Sequence, residues 1–344
     1  MSAVCALIVN FDGERLLETC LSSAEACLAD HVRAGNDARM VVVDNGSSDG
    51  SVELVRRRFP AVEIVELGAN HGFGAGVNAG VACSTEEWLL LVNSDMTLAP
   101  RALERLLAAV GDDSRVGAAG AQIRFAADER TINSAGVEVD VLGVAADRLA
   151  GRPVEAGGTE PQEVFGVSAG AALYRRAMLA DIGGFDESFF LYLEDVDVAW
   201  RARARGWKAL YVPDAVAVHR HSATSRHGSP SKHFHVGRNR VRLLAKNATA
   251  TQLMQQGPRI VVHDLLHTAY VAATGRTLAP LRGRVAGLRE WRAYRGTCDD
   301  RVAVELARAA GLRRALARNR AWRRYSASTA ETRAANASAP RPIA

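Results

Sequence analysis

The chain has 344 residues, 48% of them hydrophobic and 24% charged, which excludes a disordered polyelectrolyte and leaves ample material for one large core or two ordinary ones. The formal net charge is only +5 and no nucleic-acid-binding module accompanies it, so nucleic acid is not an expected partner. Five cysteines (Cys5, Cys20, Cys27, Cys83 and Cys298) lack the close pairs of zinc or redox motifs and suggest a reducing cytoplasm.

Met1 to Asp12 has an apolar centre but no basic leader, which suits a buried first strand, Val4–Val9, better than a signal peptide. Further strands are expected at Met40–Val43, Val62–Leu67 and Trp88–Val92, with helices at Arg15–Ala29, Ser51–Phe59, Ala75–Cys83 and Pro100–Val110. This alternation predicts an α/β domain with a largely parallel sheet. Active residues in such sheets gather beyond the carboxyl ends of the strands. Three polar clusters fall there: Asn10-Phe11-Asp12, Asp44 to Gly50, and Asn93-Ser94-Asp95.

Asp147 to Pro161 runs through glycine, proline and charge without periodicity and reads as a mobile loop. An element beginning at Val164 delivers Gly170-Ala171-Ala172, small enough for close approach to the backbone. Glu194, Asp195 and Asp197, followed by Arg201, Arg203, Arg205 and Gly206, describe a helix that opens with negative charge and stops at a glycine. Strands at Ala209–Val212 and Ala215–Val218 lead to His219, and beyond about residue 235 the pattern is helical, with Val262, Leu266 and Tyr270 at i, i+4 spacing. The best candidate for a membrane span, Ile260 to Ala273, is interrupted by His263, Asp264 and His267 and falls short of about 20 apolar residues. Ser326 to Ala344 reads as a disordered tail.

Chemistry concentrates at few positions. Asp44 ends a strand before a Gly/Ser/Asp turn, where a carboxylate either accepts from a base or ribose or shapes an ordinary turn; Asp49 is expected to cap the next helix. The glycines of Asn70 to Gly80 allow a ligand near the backbone and a helix N-terminus to face phosphate, but Val77 stands where a dinucleotide-binding loop needs its third glycine. Asp95 emerges from a buried strand, and one carboxylate suffices for a divalent ion that also holds diphosphate. His219 adds a nitrogen ligand suited to Mn²⁺ alongside Mg²⁺, with His221 as its neighbouring rival.

Taken in order, Val9-Asn10-Phe11, Val43 to Asp49, Asn70-His71-Gly72-Phe73-Gly74, Asn93-Ser94-Asp95, Gly183 to Glu187 and Phe189 to Asp197 resemble the family-2 inverting glycosyltransferases of the GT-A fold, within them the bacterial rhamnosyltransferase group. The resemblance covers residues 3 to 225, and Arg238-Asn239-Arg240 is similar to a segment of that group. It implies a nucleotide-sugar donor, dTDP-L-rhamnose first, with galactofuranosyl or other hexosyl nucleotides as alternatives and a non-catalytic sugar-binding module as a contrasting class. Asn10, Asp44, Asn70, Gly72, Asn78 and Asn93 would serve the donor, with Asp95 and His219 holding Mg²⁺ or Mn²⁺. Asp195 would be the general base and Glu194 would shape the acceptor site. Asn93 departs from the commoner Asp-X-Asp.

The expected organisation is a catalytic domain at 1–235, a helical region at 236–325 and a tail at 326–344. A glycan or polyprenol-linked acceptor fits cell-envelope synthesis in the cytoplasm. Arg313, Arg314, Arg318, Arg320, Arg323 and Arg324, interleaved with Leu312, Leu316, Trp322 and Tyr325, suggest peripheral attachment to an anionic membrane surface, or simply a solvated helix face.

Overall fold

The structure, a computed structural model, describes residues 3–220, 229–295 and 302–309. Its first half comprises β1 (Val4–Asn10), α1 (Glu14–Arg33), β2 (Ala38–Asp44), α2 (Ser51–Arg58), β3 (Glu63–Glu66), α3 (Phe73–Ala82), β4 (Trp88–Asn93), β5 (Met96–Leu98) and α4 (Ala102–Val110). Every strand and helix expected there is present, with ends moved by a few residues. β1 to β4 run parallel, with β1 between β2 and β4. Alternation along β1 sends Val4, Ala6 and Ile8 into the core under α1, and Cys5 and Leu7 into the core under α3. Asp49 serves two helix starts, accepting from Ser51 N and from Glu14 N, each at 3.0 Å.

Two glycines of the Asn70–Gly80 run are there for packing. A Cβ at Gly76 would lie 2.6 Å from Val9 Cγ1, and one at Gly80 2.1 Å from Leu7 Cδ1. Their absent side chains let α3 lie directly on β1.

The chain continues through β6 (Val116–Phe125), β7 (Asp128–Ser134), β8 (Val137–Val139), β9 (Ala145–Asp147), β10 (Gln162–Val164), β11 (Ala171–Arg175), α5 (Arg176–Ile182), α6 (Glu194–Ala204) and β12 (Lys208–His219). The main sheet has the order β10-β12-β6-β11-β4-β1-β2-β3, and β11 joins its two halves by running antiparallel to both β4 and β6. The two strands expected between Ala209 and Val218 are one, its register against β6 shifting between Val212 and Val216. Pro213, which has no N–H to donate, falls within that irregularity. Asp147–Pro161 is tied down rather than loose: Gly151 N donates to Ile132 O and Ile132 N to Arg152 O, each at 2.8 Å, before a 3-10 turn at Val154–Gly157. The glycines and the proline there make turns along β7.

Four helices follow, α7 (Pro230–Asn247), α8 (Ala250–Gly275), α9 (Ala279–Arg289) and α10 (Trp291–Arg295), and then, within the region expected to be helical to 325, residues 302–309 are not helical: Ala307 N donates to Val139 O and Val141 N to Ala307 O, each at 2.9 Å. α7 begins earlier than its periodicity suggested, because Ser229 caps it by accepting from Lys232 N at 3.2 Å and proline stands in its first turn. His221, the arginine cluster from Arg313 to Arg324 and the tail from Ser326 lie outside the described residues. Among the described residues no helix is long and apolar enough to cross a membrane.

α6 is locked to α7 by Asp197, which is fully buried. Its carboxylate accepts from Arg201 Nε at 2.7 Å, Lys246 Nζ at 3.0 Å and Asn247 Nδ2 at 2.9 Å. Burial opposes its charge, but Arg201, Lys246 and the Asn247 bond outweigh that and hold the carboxyl below its ordinary value. Asp197→Ala would strand the buried Arg201 without its carboxylate and leave Lys246 with Asp186 alone, a change that typically costs about 3–5 kcal/mol. Urea unfolding of the variant against the parent chain checks this, and a loss below about 1 kcal/mol would contradict it.

Candidate active site

A cleft of about 320 Å³ opens at the carboxyl ends of β1 and β4, lined by Asn70, Gly72, Asn93, Asp95, Glu194, Asp195 and His219 among others. Seven of the ten residues singled out from the sequence therefore meet in one place. The other three lie outside its wall. Asn10 is fully buried and donates to Asp44 Oδ1 at 3.2 Å and to Ser47 Oγ at 3.1 Å. Asp44 is 4% exposed and also accepts from Ser47 N at 2.9 Å, so the pair shapes the turn beneath the cleft. Asn78 faces elsewhere: it donates to Phe185 O at 2.8 Å and accepts from Phe185 N at 2.9 Å, clamping the segment that precedes α6 to α3.

Asn45 reaches the cleft where Asp44 does not. Its Oδ1 accepts from His71 N and its Nδ2 donates to Gly72 O, both at 2.9 Å. Sequence reasoning passed over this residue because a neutral amide beside an aspartate carries no distinctive signal.

At the floor of the cleft, Asp95 follows β4 and His219 ends β12, which pairs with β5. Asp95 Oδ2 and His219 Nε2 are 3.1 Å apart, while His219 Nδ1 lies 3.2 Å from Asn133 Oδ1. An Asn133 carbonyl accepting from Nδ1–H leaves the Nε2 lone pair facing a carboxylate, an arrangement that a shared cation completes. Among the described residues no group of three or more His, Cys, Asp or Glu is assembled for a metal. Two ligands suit an ion that takes its remaining ligands from diphosphate and water, so the donor set fits Mg²⁺ or Mn²⁺.

The opposite end is built on a strained turn. Phe190, Tyr192 and Leu193 have φ of 64°, 72° and 70°, a region side chains rarely adopt. Asn239 of α7, fully buried, holds this turn, with Nδ2 2.9 Å from Phe189 O, 2.9 Å from Leu191 O and 2.8 Å from Tyr192 O. Phe73 N donates to Phe190 O at 2.7 Å. Gly72 must be glycine, because its φ is +89° and a Cβ would lie 2.3 Å from Phe190 O.

That turn delivers Glu194 and Asp195 into the cleft. Glu194 is 7% exposed and its Oε2 has no hydrogen-bond partner. Burial, then the neighbouring Asp195 charge, pushes its carboxyl up to about 8. Asp195 is pushed up to about 6, by burial and then by Asp147, although its Oδ1 accepts from Val196 N at 2.8 Å. The two buried carboxyls are thus both raised and titrate as a pair, with burial the main cause for each. Lys232 from α7 completes the lining, its Nζ 5.0 Å over the Tyr192 ring. Burial lowers its ammonium's hold on a proton.

A profile for glycosyl transferase family 2 matches residues 5–183. The N-acetylglucosaminyl-diphospho-decaprenol L-rhamnosyltransferase of Mycobacterium tuberculosis is 32% identical over 220 residues, 57% of this chain and 70% of that protein. The chain belongs to glycosyl transferase family 2, in its rhamnosyltransferase-like group, and is a glycosyltransferase. Two solved structures share its architecture. GalNAc-T7 with UDP, GalNAc and Mn²⁺ has a TM-score of 0.59 at 14% identity, over 87% of this chain and 55% of that one. The mannosyltransferase PcManGT from Pyrobaculum calidifontis, with GDP-Man and Mn²⁺, has a TM-score of 0.51 at 19% identity, over 95% of this chain and 84% of that one. The fold is GT-A.

Asn239→Ala should free the turn before Glu194 and lower turnover about 10²-fold, the usual scale for misplacing a catalytic group by an ångström. Steady-state kinetics of a variant shown to be folded by circular dichroism checks this. Wild-type turnover would show that the turn holds itself.

Proposed function

We propose that the protein is an inverting, metal-dependent transferase that moves L-rhamnose from dTDP-L-rhamnose to a glycan or lipid-linked acceptor in cell-envelope polysaccharide synthesis. The observation that carries this reading is the meeting, in one cleft, of the buried Asp195 carboxyl with the Asp95–His219 pair on separate elements. The acceptor hydroxyl attacks the anomeric carbon and its proton passes to Asp195. The bond to the diphosphate breaks with its electron pair on the leaving oxygen, inverting the sugar centre. Mg²⁺ or Mn²⁺ held by Asp95 and His219 supplies charge neutralisation for the diphosphate. Glu194, beside the base, shapes the acceptor site.

In this reading Asn45, Asn70, Gly72 and Asn93 meet the donor, while Asn10 and Asp44 support the turn behind them. Support for rhamnose comes from the mycobacterial relative, an L-rhamnosyltransferase, and support for a metal from the Mn²⁺ in both GT-A structures. In this reading the catalytic unit runs past the boundary expected at 235 to take in α7 (Pro230–Asn247), and it works in the cytoplasm on the inner face of the membrane.

Asp195→Asn should retain donor binding and lose about 10²–10⁴ in rate, since an amide keeps the shape but takes no proton. In the parent chain kcat/KM should fall as pH drops through about 6, where Asp195 takes up its proton. Near-normal turnover of the variant at saturating substrates, or an acid limb unchanged by it, would remove Asp195 from this role. Asp95→Ala should weaken Mn²⁺ and nucleotide diphosphate binding together, and excess EDTA should reproduce the loss. Calorimetric titration checks the first, and full activity in EDTA would refute the metal.

A further inference from the structure

α8 is turned inside out. Its polar side chains face the protein: Asp264 is ion-paired with Arg240 of α7 and with Arg284 of α9, the latter at 3.1 Å, and His267 Nδ1 lies 3.2 Å from Arg284 Nη2. Its large apolar side chains face away, with Val261, Val262, Leu265 and Leu266 being 57%, 56%, 61% and 67% exposed. Ala269 and Ala273 continue that exposed row at helical spacing. In 26 residues only Ile260 and Val271 are buried. A helix on the surface of a globular protein ordinarily shows the reverse.

α9 extends the face. Leu278, Leu281 and Leu288 are 53%, 40% and 61% exposed, while Gly283 and Gly287 let its other side approach α7, where a Cβ would lie 2.1 Å from Phe234 O and 2.7 Å from Arg238 O. The charge around this apolar face has one sign. Arg259, Arg276, Arg282, Arg289 and Arg292 are exposed, while the two acids of this stretch are taken up in ion pairs, Asp264 with Arg240 and Arg284, and Glu290 with Arg242 at 2.7 Å. Residues 229–295 carry twelve arginines and lysines against two acids.

We propose that α8 and α9 dock on the surface of an anionic phospholipid bilayer. The leucines and valines enter the boundary between headgroups and acyl chains, and the arginines stay at phosphate level. A second copy of the chain is the poorer occupant, because a two-fold interface would set this positive face against itself without acids to match it. The proposal rests on the reading above only for its biological setting. It involves none of the residues assigned to transfer.

Flotation of the full chain with phosphatidylcholine vesicles, with and without phosphatidylglycerol, tests it. The chain should float with the anionic vesicles and be released by salt. Leu265→Gln with Leu266→Gln, and separately Arg282→Gln with Arg289→Gln, should each weaken binding about tenfold or more. Calorimetric binding of a nucleoside diphosphate should be unchanged in both variants, which shows that they are folded and separates this surface from the cleft. Unaltered flotation of both variants would overturn the proposal and place attachment elsewhere in the chain. So would absence of flotation, or a dimer in light scattering that the leucine pair abolishes.

Discussion

The side-chain amide of Asn239 is the contact on which the site depends. The turn before α6 holds three non-glycine residues at positive φ, each costing on the order of 1–3 kcal/mol. Within the turn itself Phe190 N donates to Glu187 O at 3.0 Å and Leu191 N to Phe189 O at 2.8 Å. Leu193, at the helix cap, contributes no side-chain hydrogen bond. Further compensation comes from α7, where one buried nitrogen reaches three carbonyls of the turn and Arg238 Nη2 donates to Phe189 O at 3.0 Å. Phe189 O thus gains two donors from α7, and Leu191 O and Tyr192 O one each. In consequence Glu194 and Asp195 leave the turn toward the cleft and not toward α7.

The three acids of α6 show how much environment decides a carboxyl's chemistry. Glu194 and Asp197 are both buried, at 7% and 0% exposure. Asp197 meets Arg201 and Lys246, which hold its carboxyl below the ordinary value, whereas burial and the neighbouring Asp195 push that of Glu194 up. Asp195 lies between these extremes, raised by burial and by Asp147 although Val196 N donates to its Oδ1 at 2.8 Å.

What the sequence disclosed follows the same physics. β1, β2 and β4 are buried on both faces, so they stand out as unbroken apolar runs, and their ends located Asn93 and Asp95. β6 was hidden because Val116–Phe125 is rich in alanine and glycine, and β8, β9 and β10 because three residues make no pattern. Charged residues announced themselves, and Asp195 and His219 were found. Asn45, Asn133 and Asn239 act through neutral amides whose partners are distant in sequence, which periodicity cannot reveal. Glycine misled for a related reason: at Gly76 and Gly80 the missing side chain makes room for β1, and the sequence does not say what lies opposite a missing Cβ.

The match to the family profile ends at residue 183, before Asp195, His219, Lys232 and Asn239. Asp95, Asn93 and the turns around Asp44 and Asn70 lie within it, so the shared segment holds one wall of the cleft. The other wall is made by α6, the end of β12 and α7. α7 cannot be an appendage, because removing it would leave the Asp197 carboxylate with a single cation and release the strained turn in one step. The helical region is therefore part of the catalytic architecture. The wall that it shapes carries Glu194 and Asp195.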